Sequence, residues 1–246
     1  MPNIESERVR LLLEWAKNYF AKSGTILDIG SAGADDPFLL KALRSEISEQ
    51  CKLVSIDMNI KSLEELKGPN LDIIAANLYQ MPFEDQSFEG CIIAEVVEHL
   101  YDIVGALKET ARVIKPGGIL LLSTPNPFAG GRAWNSWYTH QSPADMTNLA
   151  LSVGNLPKEK REEGSSHIQF YDPLSLCNLL FDSGFEVEEV TSTNFSRPLS
   201  VFSRKRNPLS WILEKYLLRQ IGKLNNATPH NRLGVYTVIR AIRINK

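Results

Sequence analysis

The chain has 246 residues, 43% hydrophobic and 23% charged, with a formal net charge of −2, which suits one mid-sized soluble domain with elaborations. The near balance of 27 basic and 29 acidic residues argues against the broad basic surface that nucleic-acid coating needs. Three cysteines, Cys51, Cys91 and Cys177, form no CxxC pair, so no disulfide framework or zinc knuckle is expected, and a reducing cytoplasmic setting fits.

Apolar residues at Val9, Leu12, Leu13, Ala16 and Phe20 predict a helix over 4–21. The charges at Glu5, Glu7, Arg8, Arg10, Glu14 and Lys17 leave no apolar centre for a secretory signal there. No run approaches the ~18–20 apolar residues of a membrane span. A buried strand over 25–29 then runs into Gly30-Ser-Ala-Gly-Ala34, and Asp36-Pro37 reads as an N-cap and first helical residue. Strands over 52–56 and 71–75 follow, separated by a short helix over 60–66. A strand over 88–94 leads to a helix over 98–114, and the turn Lys115-Pro-Gly-Gly118 launches a strand over 119–123. Alternating strands and helices imply βαβ units and an α/β domain with a parallel sheet, whose ligand site lies at the carboxyl ends of the strands.

After Thr124-Pro-Asn-Pro127 the rhythm breaks. Residues 128–166 read as an insertion standing over the site, with Trp134, Trp137, Tyr138 and His140, then the charge run 158–163, which is expected to be solvated. Asp172-Pro173 opens a helix closed by Gly184, followed by strands over 185–190 and 234–242. A second insertion, 194–230, lies between those strands.

Within the core, Asp28-Ile-Gly-Ser-Ala-Gly-Ala34 places glycines where backbone meets ligand, at 30 and 33 rather than in the GxGxxG spacing of dinucleotide sites. Asp57 ends the next strand, where a carboxylate accepts both hydroxyls of a ribose; the alternative is a loop-capping Asp. Together with Asn77-Leu-Tyr-Gln-Met-Pro-Phe83, Glu95-Val-Val-Glu-His99, Lys115-Pro-Gly-Gly118 and Gly184-Phe185, these segments resemble a class I S-adenosylmethionine-dependent methyltransferase of the small-molecule type, similar to the ubiquinone-biosynthesis O-methyltransferases.

The resemblance implies a Rossmann-like, doubly wound, seven-stranded sheet, mostly parallel with an antiparallel C-terminal strand. Helices lie on both faces, and the two insertions form a cap. One methyltransferase domain then spans 1–246, with an N-terminal helix over 1–24 and a cofactor-binding core over 25–124. Position by position, Gly30, Ser31, Ala32 and Gly33 line the methionine part of S-adenosyl-L-methionine through backbone contacts, and Asp28 stands with them among the cofactor-binding residues. Asp57 takes the ribose hydroxyls, Met58 packs on the adenine, and Asn77 and Leu78 border its edge. Ala94 and Glu95 border the reactive end. Ala32 and Ala34 stand where the family often has glycine. Asn77 replaces the usual Asp, with an oxygen still able to accept from the adenine amino group.

Methyl transfer from a sulfonium is an in-line displacement that needs alignment and exclusion of water, and a hydroxyl acceptor also needs a base or a metal. Glu95, Glu98 and His99 fall at i, i+3 and i+4 and converge on a helical turn. With His167, the resemblance makes them candidates for a divalent cation, Mg²⁺ or Mn²⁺. His99, His167 and Glu95 are also the candidate catalytic residues, and the plain alternative has Glu98 capping the following helix. Trp134, Trp137 and Tyr138 form either an aromatic lid over the acceptor or the insertion's own small core. Arg204-Lys-Arg206 and the apolar stripe over 209–224 suit either peripheral membrane contact or packing on this domain or a second subunit.

A small-molecule acceptor, with oxygen the methylated atom, is the leading expectation. Methylation of RNA or protein, a cofactor-binding protein without catalysis, and an NAD-dependent oxidoreductase are the competing ones.

Overall fold

The apolar residues Ile26, Leu27 and Ile29 sit at the centre of a seven-stranded sheet in the computed structural model. The structure describes residues 7–20, 24–30, 37–46, 51–59, 61, 64, 68–126, 169, 171–193, 234 and 236–245. The strands are β1 (Gly24–Ile29), β2 (Cys51–Asp57), β3 (Leu71–Ala75), β4 (Phe88–Ala94), β5 (Ile114–Pro125), β6 (Phe185–Thr193) and β7 (Tyr236–Arg243), in the order β3-β2-β1-β4-β5-β7-β6. The first five pair in parallel, and β7 runs antiparallel to both β5 and β6. This is the Rossmann-like, mostly parallel sheet that the resemblance implies.

Alternation along each strand feeds two cores, one per face. Ile26, Leu53, Ile92, Leu121 and Val238 pack against helices α1 (Glu7–Phe20) and α2 (Pro37–Glu46). Leu27, Val54, Cys91, Ile93, Leu120, Leu122 and Ile239 pack against α3 (Ile103–Val113) and α4 (Pro173–Asp182). Helix α1 is seated close to the sheet. A Cβ on Gly90 would meet the Phe20 ring at 2.4 Å and the Ile119 carbonyl oxygen at 2.6 Å, so only glycine admits that approach.

The strands over 71–75 and 88–94 form at the boundaries their apolar runs predict. The helix predicted over 98–114 does not form as one piece. Val97–His99 is a 3-10 turn, and α3 starts at Ile103 because Asp102 caps it, accepting from the Gly105 N–H at 2.8 Å. Glu98 therefore does not cap that helix. Strand β5 begins earlier than predicted, at Ile114. The pairing jumps from Phe88↔Ile114 to Gly90↔Ile119, so Lys115-Pro-Gly-Gly118 bulges out of the strand rather than preceding it. Asp172 caps α4 as the sequence suggests, and β6 runs on to Thr193.

The expectations for the 128–166 insertion, and for the basic cluster and apolar stripe of 194–230, fall outside the described residues. No helix among the described residues is long and apolar enough to cross a membrane.

Candidate functional site

Strand order reverses between β1 and β4, and in open α/β sheets ligands bind at such a point, in the crevice beyond the carboxyl ends of the strands. Gly30 follows β1 at this point with φ +82°, and its N–H donates to the Ile56 carbonyl at 2.9 Å. A Cβ here would lie 2.3 Å from Val96 Cγ2, so both the left-handed backbone and the space demand glycine. The hydrogen bond ties the mouth of β1 to the end of β2, where Asp57 stands half-buried. Asp57 Oδ1 accepts the Asn59 N–H at 2.8 Å, and its carbonyl accepts the Ala76 N–H at 3.2 Å. Gly30, Asp57 and Asn77 thus form one continuous row along three neighbouring strand ends.

Met58 projects from that row and is 81% exposed. Leu78 is buried beneath it in the core shared with Met81. Asn77 Oδ1 accepts the Tyr79 N–H at 3.0 Å. The oxygen expected to meet an adenine amino group is thus already engaged in a local turn, and its second lone pair would have to serve. Arg112 of α3 holds the far side of this loop: its guanidinium donates to the carbonyls of Phe83 at 2.7 Å and Met81 at 3.2 Å. It also pairs with Glu109, which accepts the Met81 N–H at 2.7 Å.

Across the crevice, Ala94 ends β4 and Glu95 adopts φ +56°, a left-handed conformation that non-glycine residues seldom take. Its N–H donates to the Ser123 carbonyl at 3.0 Å, and its carboxylate accepts from Ser123 Oγ at 3.1 Å. Arg8 of α1, only 5% exposed, comes up beneath, donating to Ser123 Oγ at 3.1 Å with Glu95 Oε1 at 3.4 Å. Next along β5, Thr124 Oγ1 donates to Glu98 Oε2 at 3.1 Å. Glu98 is fully buried, and its Oε1 has no hydrogen-bond partner among the described residues. Burial first, and the neighbouring Glu95 charge second, push its carboxyl up to about 8, against the smaller lowering effects of its hydrogen bonds and Arg8.

Arg8, Ser123 and Thr124 are polar residues that sequence reasoning passed over. Their signal was present: Arg8 lies one turn before Leu12 on the apolar stripe of α1, and Ser123-Thr124 end an otherwise apolar buried strand. Asp28 is buried within β1, in the strand the sequence predicts, and its carboxylate accepts from Ser55 Oγ at 2.9 Å.

The expected cation set is not assembled by what the structure describes. The 3-10 turn gives the two carboxylates separate partners, Glu95 bonding to Ser123 and Glu98 to Thr124. Among the described residues no group of three or more His, Cys, Asp and Glu side chains is placed to hold a metal ion. Half-buried His99 donates its backbone N–H to the Val96 carbonyl at 2.9 Å. Ser31, Ala32, Gly33, Trp134, Trp137, Tyr138 and His167 lie outside the described residues.

The core that carries this row has recognisable relatives. Residues 27–122 match the model of the methyltransferase domain. A probable S-adenosylmethionine-dependent methyltransferase of Mycobacterium tuberculosis is 30% identical over 110 residues, 42% of this chain and 40% of that protein. A demethylmenaquinone methyltransferase of Bacillus cereus is 32% identical over 94 residues, 35% of this chain and 40% of that protein. The chain thus spans about two-fifths of the length of these curated relatives.

Solved structures share the whole fold at low identity. The methyltransferase complexed with the Trm112 methyltransferase activator of Haloferax volcanii superposes with TM-score 0.59 at 15% identity, over 98% of this chain and 91% of that one. A SAM-dependent methyltransferase of Archaeoglobus fulgidus does so with TM-score 0.57 at 17% identity, over 96% and 94%. Residues 27–122 are thus similar to the methyltransferase domain, and the seven-stranded sheet that carries them has the Rossmann-like fold of solved S-adenosylmethionine-dependent methyltransferases.

Proposed function

We propose that this chain transfers the methyl group of S-adenosyl-L-methionine to a small-molecule acceptor, at a hydroxyl oxygen, by in-line displacement. The observation that carries the reading is the side-by-side placement of Gly30 and Asp57 at the point where strand order reverses, with Gly30 closed to any side chain. That juxtaposition suits a ligand with a ribose at one end and a group needing close backbone approach at the other. Bound there, the cofactor supplies an electrophilic methyl group on a sulfonium.

The chain's own residues then have distinct tasks. Gly30, with Ser31, Ala32 and Gly33 after it, cradles the methionine part through main chain, and Asp57 takes the ribose hydroxyls. Met58 covers one adenine face, while Asn77 and Leu78 border its edge. Ala94 and Glu95 bound the reactive end, which must be aligned and dry for displacement. Removal of the acceptor's proton falls to a group near that end, with His99, His167 and Glu95 the candidates. Glu95, Glu98, His99 and His167 are the residues that would hold a divalent cation, which would acidify the acceptor hydroxyl. Trp134, Trp137 and Tyr138 would close over the acceptor.

Calorimetry with S-adenosylhomocysteine and with NAD tests the cofactor assignment directly. Binding of the former alone is expected, and binding of NAD instead would overturn it. Asp57→Ala should weaken S-adenosylhomocysteine by about 10- to 100-fold, the worth of charge-assisted hydrogen bonds to two hydroxyls, and leave the urea midpoint almost unmoved. Transfer of labelled methyl to hydroxylated small molecules, rather than to RNA or protein, tests the acceptor class.

A further inference from the structure

Arg8 belongs to a helix outside the segment that matches the methyltransferase domain, yet it reaches the crevice. Helix α1 runs opposite to the parallel strands. Phe20 at its end lies over Gly90 in β4, while Arg8 in its first turn meets Ser123 at the carboxyl end of β5. Contacts with Tyr236, Ser123 and Glu95 hold the guanidinium. Its plane lies over the Tyr236 ring at 4.7 Å, and Nη1 lies 3.1 Å from Ser123 Oγ and 3.4 Å from Glu95 Oε1. The hydroxyl accepts from Arg8 and donates to Glu95, so its own proton is directed at the carboxylate. Glu95 needs such support: its backbone is held left-handed, and its side chain keeps 18% of its surface open at the strand end.

We infer that Arg8 is a positioning residue which, with Ser123, sets the Glu95 carboxylate at the reactive end of the crevice, so that α1 is a working part of the site rather than a support for the sheet alone. This rests on the reading of the crevice as an S-adenosylmethionine site. There a carboxylate held in place favours the cationic sulfonium over the neutral thioether left after transfer. A fixed guanidinium plane is what holds it, and lysine, a point charge on a flexible stem, does not reproduce that plane.

The experiment uses the full chain and calorimetry with S-adenosylmethionine and S-adenosylhomocysteine, and reads the ratio of the two affinities. Glu95→Gln should shift that ratio against S-adenosylmethionine by about tenfold, a modest share of a close charge–charge interaction near a protein surface. Ser123→Ala and Arg8→Lys should each shift it in the same direction by about threefold or more, since a bridging hydrogen bond is lost in each. Neither should shift it further in the Glu95→Gln background, because their effect passes through that carboxylate.

If Arg8→Lys retains the wild-type ratio, a buried positive charge suffices and the positioning role is wrong. Equal shifts with Glu95 present and with Glu95→Gln would also overturn it. Ser123→Ala keeps the test open should Arg8→Lys fail to fold, because it leaves the charges in place. A wild-type chain that binds neither compound would instead remove the cofactor reading, and this inference with it.

Discussion

At the ends of β2 and β3, Asp57 and Asn77 each accept a backbone N–H two residues ahead, and Gly30 bonds to the neighbouring strand. At the ends of β4 and β5, Glu95 and Glu98 depend on partners brought from afar, including Arg8, 115 residues before the Ser123 it shares with Glu95. The first half is local, open to solvent and made largely of main chain. The second half is buried, ionic and tertiary. Local turns keep their shape whatever the rest of the chain does, whereas buried polar networks hold only when every member is in place. The nucleoside half should therefore tolerate change elsewhere in the molecule, and the reactive half should report on the packing of α1.

The largest expected effect is on the buried half and is read by pH. Folded Glu98 keeps its proton up to about pH 8, while an unfolded carboxyl releases it near 4.5. Between these limits the native state binds the extra proton. The stabilising contribution is therefore complete below 4.5 and is lost as pH rises towards 8, at up to about 1.4 kcal/mol per unit. Urea titrations from pH 5 to 8.5 should show this fall, and Glu98→Gln should flatten it. Parallel wild-type and variant curves would mean that Glu98 ionises normally, and the contrast between the halves would weaken.

Next comes the junction of the two halves. Gly30→Ala should cost about 3 kcal/mol, from a strained positive φ and from overpacking against Val96. Adding Val96→Ala should recover the packing part, about half, and leave the backbone part. Full recovery would show that φ +82° carries no cost there.

The smallest effect tests the loop of the local half. Arg112→Ala removes bonds to two carbonyls and to Glu109, but the side chain is 32% exposed. About 1–2 kcal/mol is expected after allowance for solvent, with faster hydrogen exchange at Met81. A loss as large as that at Gly30 would mean the loop is not a local unit.

This contrast explains what the sequence makes legible. Strands β3 and β4 emerge at their predicted limits because each is a short apolar run bounded by turn residues. The site row at 30, 57 and 77 is legible for the same reason, as its residues sit at the ends of such runs. The helix predicted over 98–114 failed because the apolar register of Val104, Leu107, Ala111 and Ile114 extends back to Leu100, while the N-cap signal of Asp102 before Ile103 decides the start. The bond from Ser55 to Asp28 joins neighbouring strands and has no local signal. Nothing local ties Arg8 to Glu95; only the packing of α1 on the sheet does.

Strand β7 has a consequence for synthesis. It lies between β5 and β6 although it follows both in the chain. On the ribosome, the edges of β5 and β6 that β7 later occupies stay bare until Arg243 has cleared the exit tunnel. A nascent chain waiting in that state presents two open strand edges to its neighbours, a hazard for aggregation. Chaperone demand during translation should therefore peak just before β7 emerges.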